Sequence, residues 1–230
     1  MIIHGFQKLT LLDYPGHTAC TVFSGGCNFR CPFCHNAGLV LDPGQYDTVD
    51  EEDILSLLQK RRGILDGVCI TGGEPLLNPD IEGFAAKVKG LGYRLKLDTN
   101  GSFPERLGHM VSEGLVDYVA MDIKNCLAKY PMTVGKSGFD TSAVEKSVEF
   151  LRDGRVDFEF RTTVVREFHT EDDMREIGKW LAGVPKYFLQ AFSDSGELIG
   201  DGLHGYSPEE YKRLLSVVRE YIPTSELRGV

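Results

Sequence analysis

Short apolar runs rich in Val, Ile and aromatic residues alternate along the chain with stretches whose apolar positions recur every three or four residues. The runs are Thr18–Ser24, Gly67–Thr71, Tyr93–Thr99, Val116–Ile123, Asp157–Val165 and Lys186–Phe192, and each predicts a strand. The intervening stretches carry helix start and stop signals. Thr48 and Glu51 form a candidate capping box ahead of Ile54, Leu55 and Leu58. Asn78-Pro79 opens a helix bearing Ile81, Phe84, Val88 and Leu91, and Gly92 closes it. Val144, Val148 and Leu151 stripe another helix, and Thr170 precedes a further one with Met174, Ile177 and Leu181. Ser207-Pro208 with Glu210 opens the last helix, at about residues 207–222. Strand–helix alternation implies parallel strands joined by right-handed crossovers. Six such units suit a barrel-like sheet or an open doubly wound one, and both place ligands at the carboxyl ends of the strands.

The length of 230 residues suffices for one sizeable core. No repeat or linker divides it, so a single domain over residues 1–230 is expected. A net charge of −9 argues against partners bound mainly through phosphates, nucleic acid or an anionic membrane. No stretch approaches the ~18 apolar residues of a membrane span, and the start lacks the basic and apolar regions of a signal peptide. A cytoplasmic protein with reduced thiols is expected. Cys20, Cys69 and Cys126 stand singly in apolar surroundings and read as small core residues.

The other three cysteines change the picture. Cys27, Cys31 and Cys34 lie in one loop, residues 25–38, spaced by four residues and then three. Three thiolates so placed can hold three corners of a cubane iron–sulfur cluster, whose usual fourth Cys ligand is missing locally. One iron is then open to another ligand. The Cys31-Pro-Phe-Cys34-His35 run also matches a c-type haem attachment pattern, but that reading leaves Cys27 unexplained. A Cys3His zinc site would need His35 to reach the ion bound by its neighbour Cys34, and no second ligand pair follows at finger-like spacing.

Further polar motifs end the later strands. Gly72-Gly73-Glu74-Pro75 offers close backbone approach and a carboxylate for a cationic amine. Asp98-Thr-Asn-Gly101 could bind a polar ligand or simply turn the chain. Asp122 and Lys124 alternate onto one face, as do Glu159, Arg161 and Thr163. Inward charges of this kind are expensive unless paired or functional. Arg161 could meet a carboxylate bidentately or pair internally with Glu159. The remaining histidines show no ligand spacing.

In their order, Gly26–Asn36, Gly72–Pro75, Asp98–Gly101, Met121–Lys124 and Phe160–Val165 resemble the motifs of radical SAM proteins, most closely the small activases of glycyl radical enzymes. The segment Gly5–Gly16 resembles the branch that activates anaerobic ribonucleoside-triphosphate reductase; pyruvate formate-lyase activase shares most motifs. This resemblance implies an incomplete (β/α)6 barrel. It also implies a 4Fe-4S cluster on Cys27, Cys31 and Cys34, with S-adenosylmethionine (SAM) chelating the open iron through its amino and carboxylate groups. The backbone around Phe33, Cys34 and His35 would lie by the adenine, and Gly72, Gly73 and Glu74 would hold the methionine amino group. Asp98, Asp122, Lys124 and Arg161 would line the same ligand. Relatives often carry a His near the sixth strand; here Gln190 or Phe192 stands in that stretch. The implied reaction is reductive cleavage of SAM, with electrons from a flavodoxin or ferredoxin, to a 5′-deoxyadenosyl radical that takes a glycine Cα hydrogen from the partner enzyme under anaerobic conditions. A small-molecule radical enzyme, like 7-carboxy-7-deazaguanine synthase, is the alternative. No cysteine lies between Cys34 and Cys69 or after Cys126, so no auxiliary-cluster insert is implied.

Overall fold

A computed structural model of the chain describes residues 1–194 and 196–230. One eight-stranded sheet runs in chain order: β1 (Ile3–Thr10), β2 (Ala19–Ser24), β3 (Gly67–Gly72), β4 (Arg94–Thr99), β5 (Tyr118–Asp122), β6 (Asp157–Val164), β7 (Tyr187–Ala191) and β8 (Glu226–Arg228). β1 pairs antiparallel with β2, and every later pairing is parallel. β2 to β7 coincide with the six apolar runs to within two residues at each end. They read as near-continuous apolar segments because a parallel sheet covered by helices is buried on both faces. β1 and β8 lie at the two ends of the strand order, so the sheet is an open, incomplete (β/α)6 barrel with one extra strand on each edge.

The helices are α1 (Ala37–Leu41), α2 (Glu51–Lys60), α3 (Ile81–Gly90), α4 (Pro104–Ser112), α5 (Tyr130–Thr133), α6 (Ser142–Arg152), α7 (Glu171–Trp180) and α8 (Pro208–Arg219). Apolar faces of the longer ones close the core, with Ile54 and Leu58 of α2, Phe84 and Val88 of α3, and Val144, Val148 and Leu151 of α6 all buried. Two starts follow the capping rule: Thr170 with Asp173 on α7, and Ser207 with Glu210 on α8, each form reciprocal capping boxes. The expected Thr48–Glu51 box is not formed. Asp50 caps α2 by accepting from the Glu52 N–H, while the Glu51 carboxylate binds the Met1 amino group at 2.7 Å and Lys87 at 2.6 Å. A long-range partner, invisible in the local pattern, decides that cap. α3 starts at Ile81, two residues past Pro79, with Asn78 Oδ1 accepting from the Asp80 N–H.

Candidate active site

The carboxyl ends of the parallel strands surround a partly open cavity of ≈ 160 Å³. Cys27, Cys31 and Cys34 line it, with Phe33 and His35 of the same loop. Gly72 and Gly73 at the end of β3, Asp98 at the end of β4, Asp122 and Lys124 at the end of β5, and Arg161 of β6 complete the wall. Candidate residues scattered over 135 positions of sequence thus converge on one space.

The cysteine loop is fastened at several points. Gly26 N–H donates to Leu39 O (2.8 Å), and Arg30 N–H donates to Val134 O (2.9 Å). The Arg30 guanidinium donates to Cys27 O (2.6 Å) and Phe29 O (2.7 Å), and the Phe29 N–H points at Cys27 Sγ (3.3 Å). Phe29 and Phe33 are almost fully buried, so their rings wall off the loop from solvent. Burial raises the pKa of the thiols of Cys27, Cys31 and Cys34, Cys31 to about 12. Without a metal they hold their protons, and binding one must displace them. Among the described residues no three or more His, Cys, Asp or Glu side chains gather around one ion position. All three thiols line the same cavity, and three thiolate donors are the chemistry that an iron–sulfur cluster takes at its corners.

The two glycines serve the protein more than a ligand. A Cβ on Gly73 would lie 1.9 Å from Gly26 O, and one on Gly72, at φ +116°, would lie 2.3 Å from Ser24 O. Their smallness lets the β3 turn lie directly on the cysteine loop, where Gly73 N–H donates to Ser24 O (2.9 Å) and Glu74 N–H to Gly26 O (2.8 Å). Asn36 Nδ2 adds a bond to Gly72 O at 2.7 Å. Gly73→Ala therefore forces backbone apart from backbone, at about 1–3 kcal/mol, or roughly 2–12 °C in Tm at this chain length. Gly83→Ala, where a Cβ meets nothing within 4 Å, is the control and leaves the thermal melt at or above its original midpoint.

Glu74 follows the two glycines into the core. Its carboxylate is fully buried and does not line the cavity. It accepts from Leu76 N–H (3.1 Å), Thr99 Oγ1–H (2.9 Å) and Asn100 N–H (2.7 Å), so it clamps the β4 turn instead of facing a ligand. Burial lifts its pKa to about 7 against these donors.

Charges on the wall form a ladder. Lys96 pairs with Asp98, Arg161 bridges Asp98 (3.1 Å) and Asp122 (2.5 Å), and Lys124 meets Asp122 (2.8 Å). Burial alone would raise both aspartates, but the Arg161 guanidinium, with Lys96 and Lys124, holds them below the usual carboxylate range. The internal Glu159–Arg161 pair is not formed. Glu159 is held bidentately by Arg228 of β8 (2.6 and 2.8 Å) and by Tyr118 Oη–H (2.8 Å), which frees Arg161 for the two aspartates. Gln190 lines a second cavity, while Phe192 lies with its ring 5.6 Å from that of His35; of the two, Phe192 adjoins the cysteine loop.

His169, which showed no ligand spacing, is fully buried behind the site. Its Nδ1 accepts from the Val165 N–H (3.0 Å), so Nε2 carries the proton and donates to Lys124 O (2.8 Å). Burial depresses its pKa below the usual 6.5. A depressed folded value means that its contribution to stability is complete above about pH 6.5 and is lost as pH falls below it. Urea midpoints should therefore drop between pH 7.5 and 5.5 by more in the native sequence than in His169→Gln, which cannot titrate.

The sequence pattern of the Radical SAM superfamily matches residues 21–181. A Methanocaldococcus jannaschii protein named as a glycyl-radical enzyme activating enzyme is 30% identical over 238 residues, covering 100% of this chain and 96% of its own. Pyruvate formate-lyase 1-activating enzyme of Escherichia coli K12 is 27% identical, with 95% of each chain covered. The crystal structure of Streptococcus suis SuiB bound to S-adenosylmethionine superposes with a TM-score of 0.69 at 15% identity, over 90% of this chain and 49% of that one, so the fold is shared across about half of the larger protein. The chain belongs to the radical SAM superfamily and, within it, to the glycyl-radical enzyme activating enzymes.

Proposed function

We propose that Cys27, Cys31 and Cys34 hold a 4Fe-4S cluster and that the chain, as one domain in the cytoplasm, activates anaerobic ribonucleoside-triphosphate reductase, with flavodoxin or ferredoxin as the electron donor. The observation that carries the reading is the convergence of three thiols and a paired charge ladder on one cavity. The chemistry such a cluster supplies is one low-potential electron that splits the C5′–S bond of SAM, releasing methionine and a 5′-deoxyadenosyl radical that takes the glycine Cα hydrogen. The chain's own residues do the rest. Asp98, Asp122, Lys124 and Arg161 present equal numbers of both charges, matched to the zwitterionic end of SAM. Phe33 and His35, backed by Phe192, form the wall proposed for the adenine, with the backbone of Gly72 and Gly73 on the methionine side. Phe29 and Phe33 exclude water, which protects a radical from quenching.

The N-terminal segment Gly5–Gly16 favours the reductase as target. Pyruvate formate-lyase is the second candidate, favoured by the match to its activating enzyme over 95% of this chain. Reconstituted protein, reductant and SAM are mixed with each candidate in turn. A glycyl doublet in the EPR spectrum of the reductase is expected. A doublet on pyruvate formate-lyase alone moves the assignment to that enzyme, and 5′-deoxyadenosine formed with neither doublet rejects both targets.

A further inference from the structure

Beside Cys27, Asn100 lines the cavity and closes a ring of hydrogen bonds with Asn28 and Ser102. Asn100 Nδ2 donates to Asn28 Oδ1 (2.9 Å), Asn28 Nδ2 donates to Ser102 Oγ (2.8 Å), and Ser102 Oγ–H donates to Asn100 Oδ1 (2.5 Å). Asn100 Nδ2 also lies 3.8 Å from Cys27 Sγ. Amide orientation is often ambiguous, but here it is fixed. The Ser102 backbone N–H, which can only donate, binds Asn100 Oδ1 at 2.9 Å, so the NH₂ must face the sulfur. The backbone of Asn100 is held in turn, its N–H bonded to the buried Glu74 carboxylate at 2.7 Å. Asn100 itself is only 5% exposed. Such restraint at a residue that could have served as a simple turn former calls for a role.

We infer that Asn100 is a positioning residue that aims an N–H dipole at the Cys27 sulfur and thereby raises the reduction potential of the cluster that Cys27 helps to hold. The inference rests on the cluster assignment proposed above. Reduction adds negative charge to a cluster and its sulfur ligands, and a fixed donor stabilises the reduced form more than the oxidised one. Two donors then converge on Cys27 Sγ, the Phe29 N–H at 3.3 Å and Asn100 Nδ2. The backbone donor is supplied by the loop itself; the side-chain donor arrives from β4 and is open to substitution. Ser102 has no contact with the sulfur and acts only by orienting the carboxamide.

The test is a redox titration of anaerobically reconstituted full-length protein, followed by the EPR signal of the reduced cluster, in the native sequence, Asn100→Ser and Ser102→Ala. Asn100→Ser removes the carboxamide N–H without adding charge, leaving only a hydroxyl on a shorter side chain. At a fixed solution potential its reduced-to-oxidised ratio should fall roughly three- to tenfold, the scale of one ordinary hydrogen bond. Ser102→Ala removes the Oγ bonds to Asn100 and Asn28 but keeps the backbone N–H on Asn100 Oδ1, so it loosens the carboxamide and should shift the ratio the same way by less. A purely structural role would lower iron content or the thermal midpoint and leave the potential in place; an unchanged potential in Asn100→Ser with full iron overturns the inference. If Asn100→Ser loses its iron, Asn100→Asp decides: it keeps the shape of the side chain but puts an oxygen in place of Nδ2, and a potential that is not lowered there overturns the inference equally. Failure of the native protein to bind a cluster at all counts against the functional reading, not against this residue alone.

Discussion

Cys31→Ala should yield a folded protein that neither retains iron nor cleaves SAM. Cys31 is the most buried of the loop cysteines, at 6% exposure, and its side chain is small, so truncation costs about 1 kcal/mol of folding stability. Removing one of three corner ligands leaves two thiols and a second open iron. The loss should exceed the ~10–100-fold typical of outer-shell changes at metal sites. Cys27→Ala and Cys34→Ala should behave alike. Cys20→Ala supplies the contrast, since Cys20 is fully buried outside the cavity lining; it should keep its iron and lose only packing. Iron per chain and 5′-deoxyadenosine after reduction with dithionite separate the two groups.

The second large effect is on the charge ladder. Arg161→Met strips the cation that bridges Asp98 and Asp122, both part-buried on the cavity wall. Breaking a buried pair by removing one partner costs about 3–5 kcal/mol, because the stranded charge is no longer compensated. At this chain length that corresponds to a fall of roughly 6–20 °C in Tm. Lys96 and Lys124 remain to compensate part of the charge, so the loss should lie at the lower end. Arg161→Lys keeps the charge but not the planar fork whose Nε and Nη2 reach two different carboxylates; its melt should fall between the two. SAM affinity, measured by equilibrium binding, should weaken in both variants if the ladder orients the ligand's charged end.

The sequence disclosed most of the frame and the positions of the chemistry, for physical reasons that can be named. Parallel strands buried on both faces leave unbroken apolar runs, so β2 to β7 were visible. β1 was not, because an edge strand with an intermediate and exposed middle (Gly5 to Leu9) carries no apolar run, and β8 has only three residues. Strand-end motifs pointed to one cavity because open α/β sheets gather ligands there. What stayed hidden were long-range pairings. Nothing local to Glu159 names Arg228 as its partner, and nothing near Glu51 names the amino terminus. The partners of Glu74 were hidden in the same way, since two of its three donors, Thr99 and Asn100, come from the far end of β4. Asn100 looked like a turn residue, and only the closed ring with Asn28 and Ser102 gives it a direction. Lys96 sits inside an apolar run, and its alternation with Asp98 was a usable signal of an inward pair.

The central claim is that the Cys27–Cys31–Cys34 loop holds a cluster with one iron open to SAM. EPR spectroscopy of the anaerobically reconstituted, reduced protein, recorded with and without SAM, addresses it directly. The account predicts a 4Fe-4S signal whose shape changes on SAM addition, together with 5′-deoxyadenosine in the same sample. A protein that binds no iron, or a cluster signal indifferent to saturating SAM, would contradict it.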